Sequence, residues 1–138
     1  MNTTLILAKY IASNTFKKFV VGQQDCMTFA TRWHDERFGT TRTNSVAGKY
    51  NSPRSALKFY RNYISVSAWF TMCGYSVIED VEVFKDGDFV ETMQVGMPLA
   101  WIVLNDNCYT IDETGMQCVK GSAFRESNHT HTLKVWRQ

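Results

Sequence analysis

The sequence predicts a single α+β domain over residues 1–138, with N-terminal helices packed on a C-terminal antiparallel sheet. Two patterns predict this class. Apolar residues recur at helical spacing up to about Gly74, and short alternating or β-branched segments separated by turn residues follow. A chain of 138 residues buries about two-thirds of the surface that it exposes when unfolded, which is enough for a core of its own.

The first two helices are predicted from spacing and capping. The first covers Thr4–Asn14, and its buried face is expected at Leu5, Ala8, Ile11 and Ala12. Asp25 is the predicted N-cap of the second helix, because an aspartate there accepts hydrogen bonds from free backbone N–H groups. Gly39 is expected just past the end of this helix, where a left-handed residue is common.

Two further helices follow a polar loop, GTTRTNSVAGKYN, in which Tyr50 is expected to pin the chain. Ser52-Pro53 is a strong helix start, since proline tolerates the first turn without losing a hydrogen bond. The third helix is therefore predicted over Pro53–Tyr63, and one or two turns in SVSAWFTMCG are predicted to end at Gly74.

The second half predicts strands joined by tight turns. Alternation, β-branched residues and the turn residues between them give the following segments, in order: YSVIEDVEV, DFVETM, MPLAWIVL, CYTID, MQCV and HTLKVWRQ.

Composition excludes several classes of protein. A hydrophobic share of 44% with 20% charged residues is globular and rules out a disordered or collagen-like chain. The four cysteines show neither a Cys-x-x-Cys pair nor zinc spacing, so we predict no metal, no cofactor and no disulfide scaffold. Cys73, Cys108 and Cys118 are expected to be buried free thiols, and the tryptophans to be anchors of the core or of an interface.

The N-terminus indicates where the chain is made. It lacks a basic start, and Lys9 interrupts its apolar run after a few residues. We therefore expect neither a signal peptide nor a membrane span, and synthesis in the cytoplasm.

Charge is unevenly distributed along the chain. The net charge of +2 and a pI of about 8.4 give no indication of nucleic-acid binding. However, residues 37–78 contain six bases and no acid, whereas residues 79–113 contain nine acids and one base. Either the two halves screen each other, or the charge forms a head-to-tail contact or a basic face for an anionic polymer. Lys49, Arg54 and Lys58 are the candidate binding residues, able to meet phosphate or an acidic partner, with a solvated helix face as the alternative.

The stretch Gly22-Gln23-Gln24-Asp25-Cys26 carries the most suggestive chemistry. A thiol in the first turn of a helix feels the partial positive charge of unpaired N–H groups, which favours the nucleophilic thiolate. A cysteine at such a position can also serve packing alone. Spacing therefore makes Cys26 a candidate nucleophile without excluding a structural role.

The same stretch supports a family resemblance. FVVGQQDCMTFATRW resembles the Asp-Cys helix start of the NlpC/P60 cell-wall cysteine peptidases, GDFV resembles their Gly-Asp strand, and PLAWIVLNDNCYTID resembles their His-bearing hairpin. The whole chain, from about Lys9 to Arg137, also resembles uncharacterised phage and prophage proteins distantly related to that group. Those proteins share the Gly-x-x-Asp-Cys start, the segment GKYNSPRSALKFYR and the closing Val-Trp-Arg.

The resemblance implies a papain-like fold with Cys26 at the nucleophile position. It places the general-base histidine in the segment 99–101, where this chain has Leu-Ala-Trp, and the orienting residue near Ile111 or Asp112. Asp112 is the candidate for the orienting position. Trp101 is a candidate binding residue that could fill the cleft vacated by the base.

The three histidines of the chain do not replace the missing base in any simple way. His34 lies eight residues along the second helix, about 12 Å from Cys26, which is too far for contact. His129 and His131 precede the last strand and are expected to face solvent. A return of that segment to Cys26 is the alternative.

These observations predict a structural or adaptor protein of a phage virion, associated with the tail, on a fold that has lost hydrolytic function. Its expected partners are other virion or tail proteins, further copies of itself and peptidoglycan, with no nucleic acid and no membrane span. The alternative is a peptidoglycan endopeptidase or amidase that uses Cys26. A third hypothesis is a cytoplasmic effector that binds a host protein through the basic loop.

Overall fold

A computed structural model describes residues 2–79, 83–94, 96–126 and 133–138. Within these residues the chain forms five α-helices and a six-stranded sheet, which confirms the α+β prediction. The helices are α1 (Thr3–Asn14), α2 (Cys26–Phe38), α3 (Pro53–Asn62), α4 (Val66–Met72) and α5 (Gly121–Glu126), with a 3₁₀ turn at Arg42–Ser45. The strands are β1 (Ser76–Ile78), β2 (Phe89–Gln94), β3 (Met97–Leu104), β4 (Asn107–Asp112), β5 (Gly115–Lys120) and β6 (Lys134–Arg137).

The predicted helix boundaries of α2 and α3 are confirmed, and side-chain caps explain them. Asp25 and Ser52 each accept a hydrogen bond from the third residue of their helix, and that residue's hydroxyl accepts one from the cap's own N–H. Gly39 ends α2 in the left-handed conformation that its lack of a Cβ permits.

The sheet is antiparallel throughout, in the order β1-β6-β2-β3-β4-β5. Strand β6 lies between β1 and β2, so it joins β1 to the rest of the sheet. The strands YSVIEDVEV and HTLKVWRQ are confirmed over 76–78 and 134–137, whereas residues 80–82 and 131–132 of these segments lie outside the described part of the chain.

The two faces of the sheet bury different residues. Ala100, Ile102 and Leu104 of β3 join the main core beneath the helices. Trp101 and Val103 join a smaller apolar cluster on the opposite face, together with Leu99, Val90, Cys108 and Val135. Phe124 of α5 packs edge-on against Trp101, with ring centroids 5.0 Å apart.

Three expectations about the elements are wrong. The buried face of α1 consists of Leu7, Tyr10, Ile11 and Asn14, whereas Leu5 is 53% exposed, because tertiary packing selected the neighbouring stripe of the helix. Helix α5 was not anticipated in its polar sequence GSAFRE. All four cysteines are free, but only Cys108 is buried, while Cys73 is half-buried and Cys118 is exposed. Cys118 lies on β5, an edge strand that only β4 pairs.

Two carboxylates hold the segment Val135-Trp136-Arg137 in place: Glu91 lies in β2, and Asp88 directly precedes this strand. The Trp136 indole N–H donates to Glu91 at 3.0 Å, and the Arg137 guanidinium forms an ion pair with Asp88 at 2.8 Å. The Asp88 side chain is only 2% exposed, so the guanidinium neutralises a charge that water reaches poorly. This anchoring fixes β6 against β2.

Arg137→Ala leaves the Asp88 carboxylate buried without its cation. We expect a loss of about 2–4 kcal/mol in the free energy of unfolding, measured by urea denaturation. The matched control is Lys134→Ala, an exposed residue of the same strand, with an expected change below about 0.5 kcal/mol. Equal effects of the two substitutions would contradict this account.

Candidate functional site

The Asp25 carboxylate organises the site at the start of α2. One oxygen accepts from the Thr28 backbone N–H at 2.9 Å, and the other accepts from the Gly22 N–H and the Tyr50 hydroxyl, both at 2.8 Å. Asp25 is buried, and these donors come from the preceding loop, the helix itself and the segment before α3. The expectation that Asp25 caps the helix is confirmed, and Tyr50 pins the loop as predicted.

Gly22 is the residue that allows this loop to close. Its φ of +84° is left-handed, and a Cβ placed there would lie 1.9 Å from the Tyr50 carbonyl oxygen. The Gly48 N–H donates to the Gly22 carbonyl at 2.9 Å. The motifs Gly-x-x-Asp-Cys and Gly-Lys-Tyr-Asn are therefore two halves of one hydrogen-bonded unit.

A second tyrosine extends the network towards α3. The Tyr50 and Tyr60 hydroxyl oxygens are 2.6 Å apart. Because Tyr50 donates to the Asp25 carboxylate, Tyr60 donates to Tyr50. Burial is the main cause that raises the pKa of both phenols, so both remain protonated at neutral pH.

Cys26 follows directly and is half-buried. Burial raises the pKa of its thiol to about 12, and the neighbouring Asp25 charge raises it further, while backbone hydrogen bonds with Ala100, Met27 and Cys26 itself lower it. The expectation that the helix start favours a thiolate is therefore wrong. Desolvation and an adjacent carboxylate outweigh the partial charge of the helix end, and the thiol is neutral at pH 7.

The thiol borders an apolar cavity of about 280 Å³ between α2, α3 and the sheet. Ala100 of β3 and Ile111 of β4 line it and are almost completely buried. At Ala100 the hydrogen bond between β3 and β4 involves a side chain: the Thr110 hydroxyl donates to the Ala100 carbonyl oxygen at 2.7 Å. Apolar residues of the helices and loops complete the wall: Phe19, Val21, Met27, Ala56 and Val66.

The position implied for the general base is therefore occupied by a methyl group. The resemblance indicated the segment 99–101 without choosing the residue that faces Cys26. In the structure, the pleat of β3 directs Ala100 to the cavity. Trp101 points to the opposite face, where its indole N–H donates to Thr92 at 2.9 Å. The expectation that Trp101 fills the vacated cleft is wrong, because adjacent residues of a strand face opposite sides.

Asp112 does line the cavity, as the resemblance implied, but its side chain is engaged elsewhere. One carboxylate oxygen accepts from the Thr114 N–H at 2.8 Å and the Thr114 hydroxyl at 2.7 Å, and so caps the β4–β5 turn. Ile111, its neighbour, is the residue that packs in the core beside Ala100. The Asp112 oxygen that accepts these hydrogen bonds is thus committed to the turn.

The only histidine in the described part of the chain lies away from the cavity. His34 is buried among Phe38, Trp69 and Tyr75, and its Nδ1 is 2.7 Å from the Tyr75 hydroxyl oxygen. Burial lowers the pKa of its imidazole. The prediction that His34 does not reach Cys26 is confirmed. His129 and His131 lie outside the described residues.

The other candidate binding residues are not part of this cavity. Lys49, Arg54 and Lys58 are exposed, and none of them lines it. In the described ranges no three His, Cys, Asp or Glu side chains are arranged to hold a metal ion. Nor does this part of the chain contain a helix long and apolar enough to cross a membrane.

The sequence did not identify Tyr60 as part of the site. An available signal was the Gly-x-x-Asp-Cys loop itself, since a buried Asp25 needs donors and a nearby tyrosine can supply one. For Ala100 and Ile111 the resemblance indicated the segments 99–101 and 111–112. Only packing decides which residue of each segment faces the core.

The fold and site define an α+β domain in which a carboxylate-capped helix presents a neutral thiol to an apolar cavity. The chain belongs to the family defined by the domain of unknown function DUF6950, whose model matches residues 3–127. Neither a curated protein nor a solved structure matches it.

Gly22→Ala is expected to break the loop. The added Cβ would meet the Tyr50 carbonyl in a left-handed conformation, and we expect a loss of at least about 3 kcal/mol in unfolding free energy. Gly39→Ala is the matched control, since Gly39 is also left-handed but has no atom within 4 Å of such a Cβ. Its cost should be only about 1–2 kcal/mol. Similar losses would show that the close approach to Tyr50 is unimportant.

Alkylation of Cys26 should report a raised thiol pKa. In a variant with the other three cysteines replaced by alanine, the rate should be low at pH 7 and rise about tenfold per pH unit up to pH 10, because only the thiolate reacts. An ordinary thiol would level off near pH 8.5–9. A plateau below pH 9 would contradict the raised pKa.

The same assay checks the placement of Ala100. Ala100→His puts an imidazole beside Cys26 and should bring the plateau into the measured pH range, whereas Ala56→His, on the α3 wall of the cavity, should do so much less. Equal shifts from both variants would contradict the assignment of Ala100 to the base position.

Proposed function

We propose that this protein is a structural or adaptor subunit of a phage virion, associated with the tail, on a papain-like core without hydrolytic function. The resemblance to NlpC/P60 peptidases and to phage proteins motivates both parts of this proposal. Membership of a family of unknown function neither adds to it nor opposes it.

The arrangement of elements supports the papain-like interpretation. Cys26 begins a helix whose N-terminal turn meets an antiparallel sheet at β3, the strand that would carry the base. The next strand, β4, brings the third position to the same cavity. On this interpretation the three positions of a cysteine-peptidase site correspond to Cys26, to Ala100 and to the end of β4 at Ile111 and Asp112.

The observation that carries the loss of hydrolysis is Ala100 beside the Cys26 thiol. A cysteine peptidase needs an imidazole to hold the thiolate and then to protonate the leaving amine, and a methyl group does neither. At the orienting position, Asp112 has no imidazole among the described residues to orient, and its Oδ1 accepts from Thr114 instead. Loss of a general base typically costs 10²–10⁴-fold in rate, and a neutral thiol lowers it further.

A role in assembly agrees with the surface. Phe16 is 96% exposed and Tyr63 is 81% exposed, although the core already contains most of the large aromatic residues of the chain. Aromatic side chains are enriched where proteins contact each other. The exposure of these two rings therefore favours contacts with neighbouring subunits.

Two measurements test the proposal. Purified protein incubated with purified peptidoglycan should release no more soluble peptide than the Cys26→Ala variant does. Mass spectrometry of purified virions of the parent phage, separated into tails and capsids, should find the chain in the tail fraction. Absence from virions would overturn the structural role.

Release of peptides that depends on Cys26 would instead support the peptidoglycan endopeptidase or amidase. His129→Ala and His131→Ala would then show whether either histidine supplies the base, since activity lost with one of them identifies it. Activity that survives Cys26→Ala would point to a contaminant.

A further inference from the structure

Several carboxylates of the acidic half accept hydrogen bonds within the fold. Of the acids in residues 79–113, five accept hydrogen bonds from other described residues, most from other parts of the fold: Asp86, Asp88, Glu91, Asp106 and Asp112. These contacts cap turns, close the sheet and hold α5. Two of these five carboxylates, Asp88 and Glu91, are also buried, whereas Asp106 is exposed.

The bases of residues 37–78 form no ion pair with another described residue. The ion pairs in the described part of the chain are Arg125–Asp106 and Arg137–Asp88, and both use bases from near the C-terminus. Among the described residues, therefore, no ion pair joins an acid of residues 79–113 to a base of residues 37–78.

Three of these bases form a row on α3. Arg54, Lys58 and Arg61 are exposed, and at 100° per residue they fall within an arc of about 60° and along about 10 Å of the helix axis. None of them has an acid within 4 Å among the described residues. Exposed Lys49 lies in the loop just before the helix and adds a fourth charge to the same segment.

The composition of this face indicates the kind of partner. The buried residues Ala56 and Tyr60 lie on the other side of α3, towards the cavity, and α3 has no large exposed apolar residue. Protein interfaces usually have an apolar or aromatic centre, and the row itself has none, although exposed Tyr63 follows α3 at its C-terminal end. Bare cations are typical of contacts with phosphate.

We propose that Lys49, Arg54, Lys58 and Arg61 bind the phosphate backbone of duplex DNA without reading its sequence. The phosphates of one strand recur about every 3.4 Å along the axis and wind around it, so long side chains spread over about 10 Å of α3 can reach more than one phosphate. This inference goes beyond the proposed function and does not depend on whether Cys26 is active. It opposes the prediction of no nucleic acid, which relied on the pI of the whole chain.

Fluorescence anisotropy with a labelled 20-base-pair duplex tests the proposal. Binding should weaken with NaCl, with a slope of log K against log[NaCl] of about −3.6 for four phosphate contacts, and two duplexes of unrelated sequence should bind equally. The variant Arg54→Gln/Lys58→Gln/Arg61→Gln should lose at least tenfold in affinity at 50 mM NaCl, and its slope should fall to about −1.

The matched control is Lys9→Gln/Lys18→Gln/Lys120→Gln, which removes the same charge from exposed residues elsewhere. It should change affinity less than threefold, and circular dichroism should show that both variants are folded. Equal losses in the two variants, or no binding at 50 mM NaCl, would overturn the proposal. So would equal competition by poly-L-glutamate, which would indicate an acidic protein as the partner.

Discussion

The Asp25 carboxylate is the interaction on which the site depends. It joins three segments that are separate in sequence: the Gly22 loop, the first turn of α2 and the Tyr50 segment that leads into α3. A buried carboxylate must have its oxygens satisfied, and here N–H and O–H donors from all three segments do this. One capping residue therefore positions the segments that form the cavity wall next to Cys26. The same network holds α3 through the hydrogen bond between Tyr50 and Tyr60.

The same carboxylate helps to keep the thiol neutral. Its charge lies next to Cys26 and raises the thiol pKa in addition to burial. A cysteine peptidase offsets such effects with an imidazolium that pairs with the thiolate. Ala100 carries no charge that could do this, so both burial and charge favour the neutral thiol at Cys26.

The unequal use of acids and bases has a physical cause. Carboxylates are short acceptors that fit caps and turns, where free N–H groups need partners, and Asp25, Asp86 and Asp112 all serve in this way. Lysine and arginine are long donors whose heads remain in water even when their stems pack. A chain with nearly balanced charge can therefore leave exposed bases, such as those of α3, without an ion-pair partner among the described residues.

The sequence by itself determined whatever depends on neighbouring residues. The limits of α2 and α3 followed from Asp25, Gly39 and Ser52-Pro53, and β3 and the turns around it followed from local pattern. Packing alone decided which side of an element is buried. It selected Leu7 over Leu5 in α1, and Ala100 over Trp101 for the side of β3 that meets Cys26. It also raised the thiol pKa of Cys26, because a thiol pKa depends on burial and nearby charge, and burial comes from residues distant in sequence only when the chain folds.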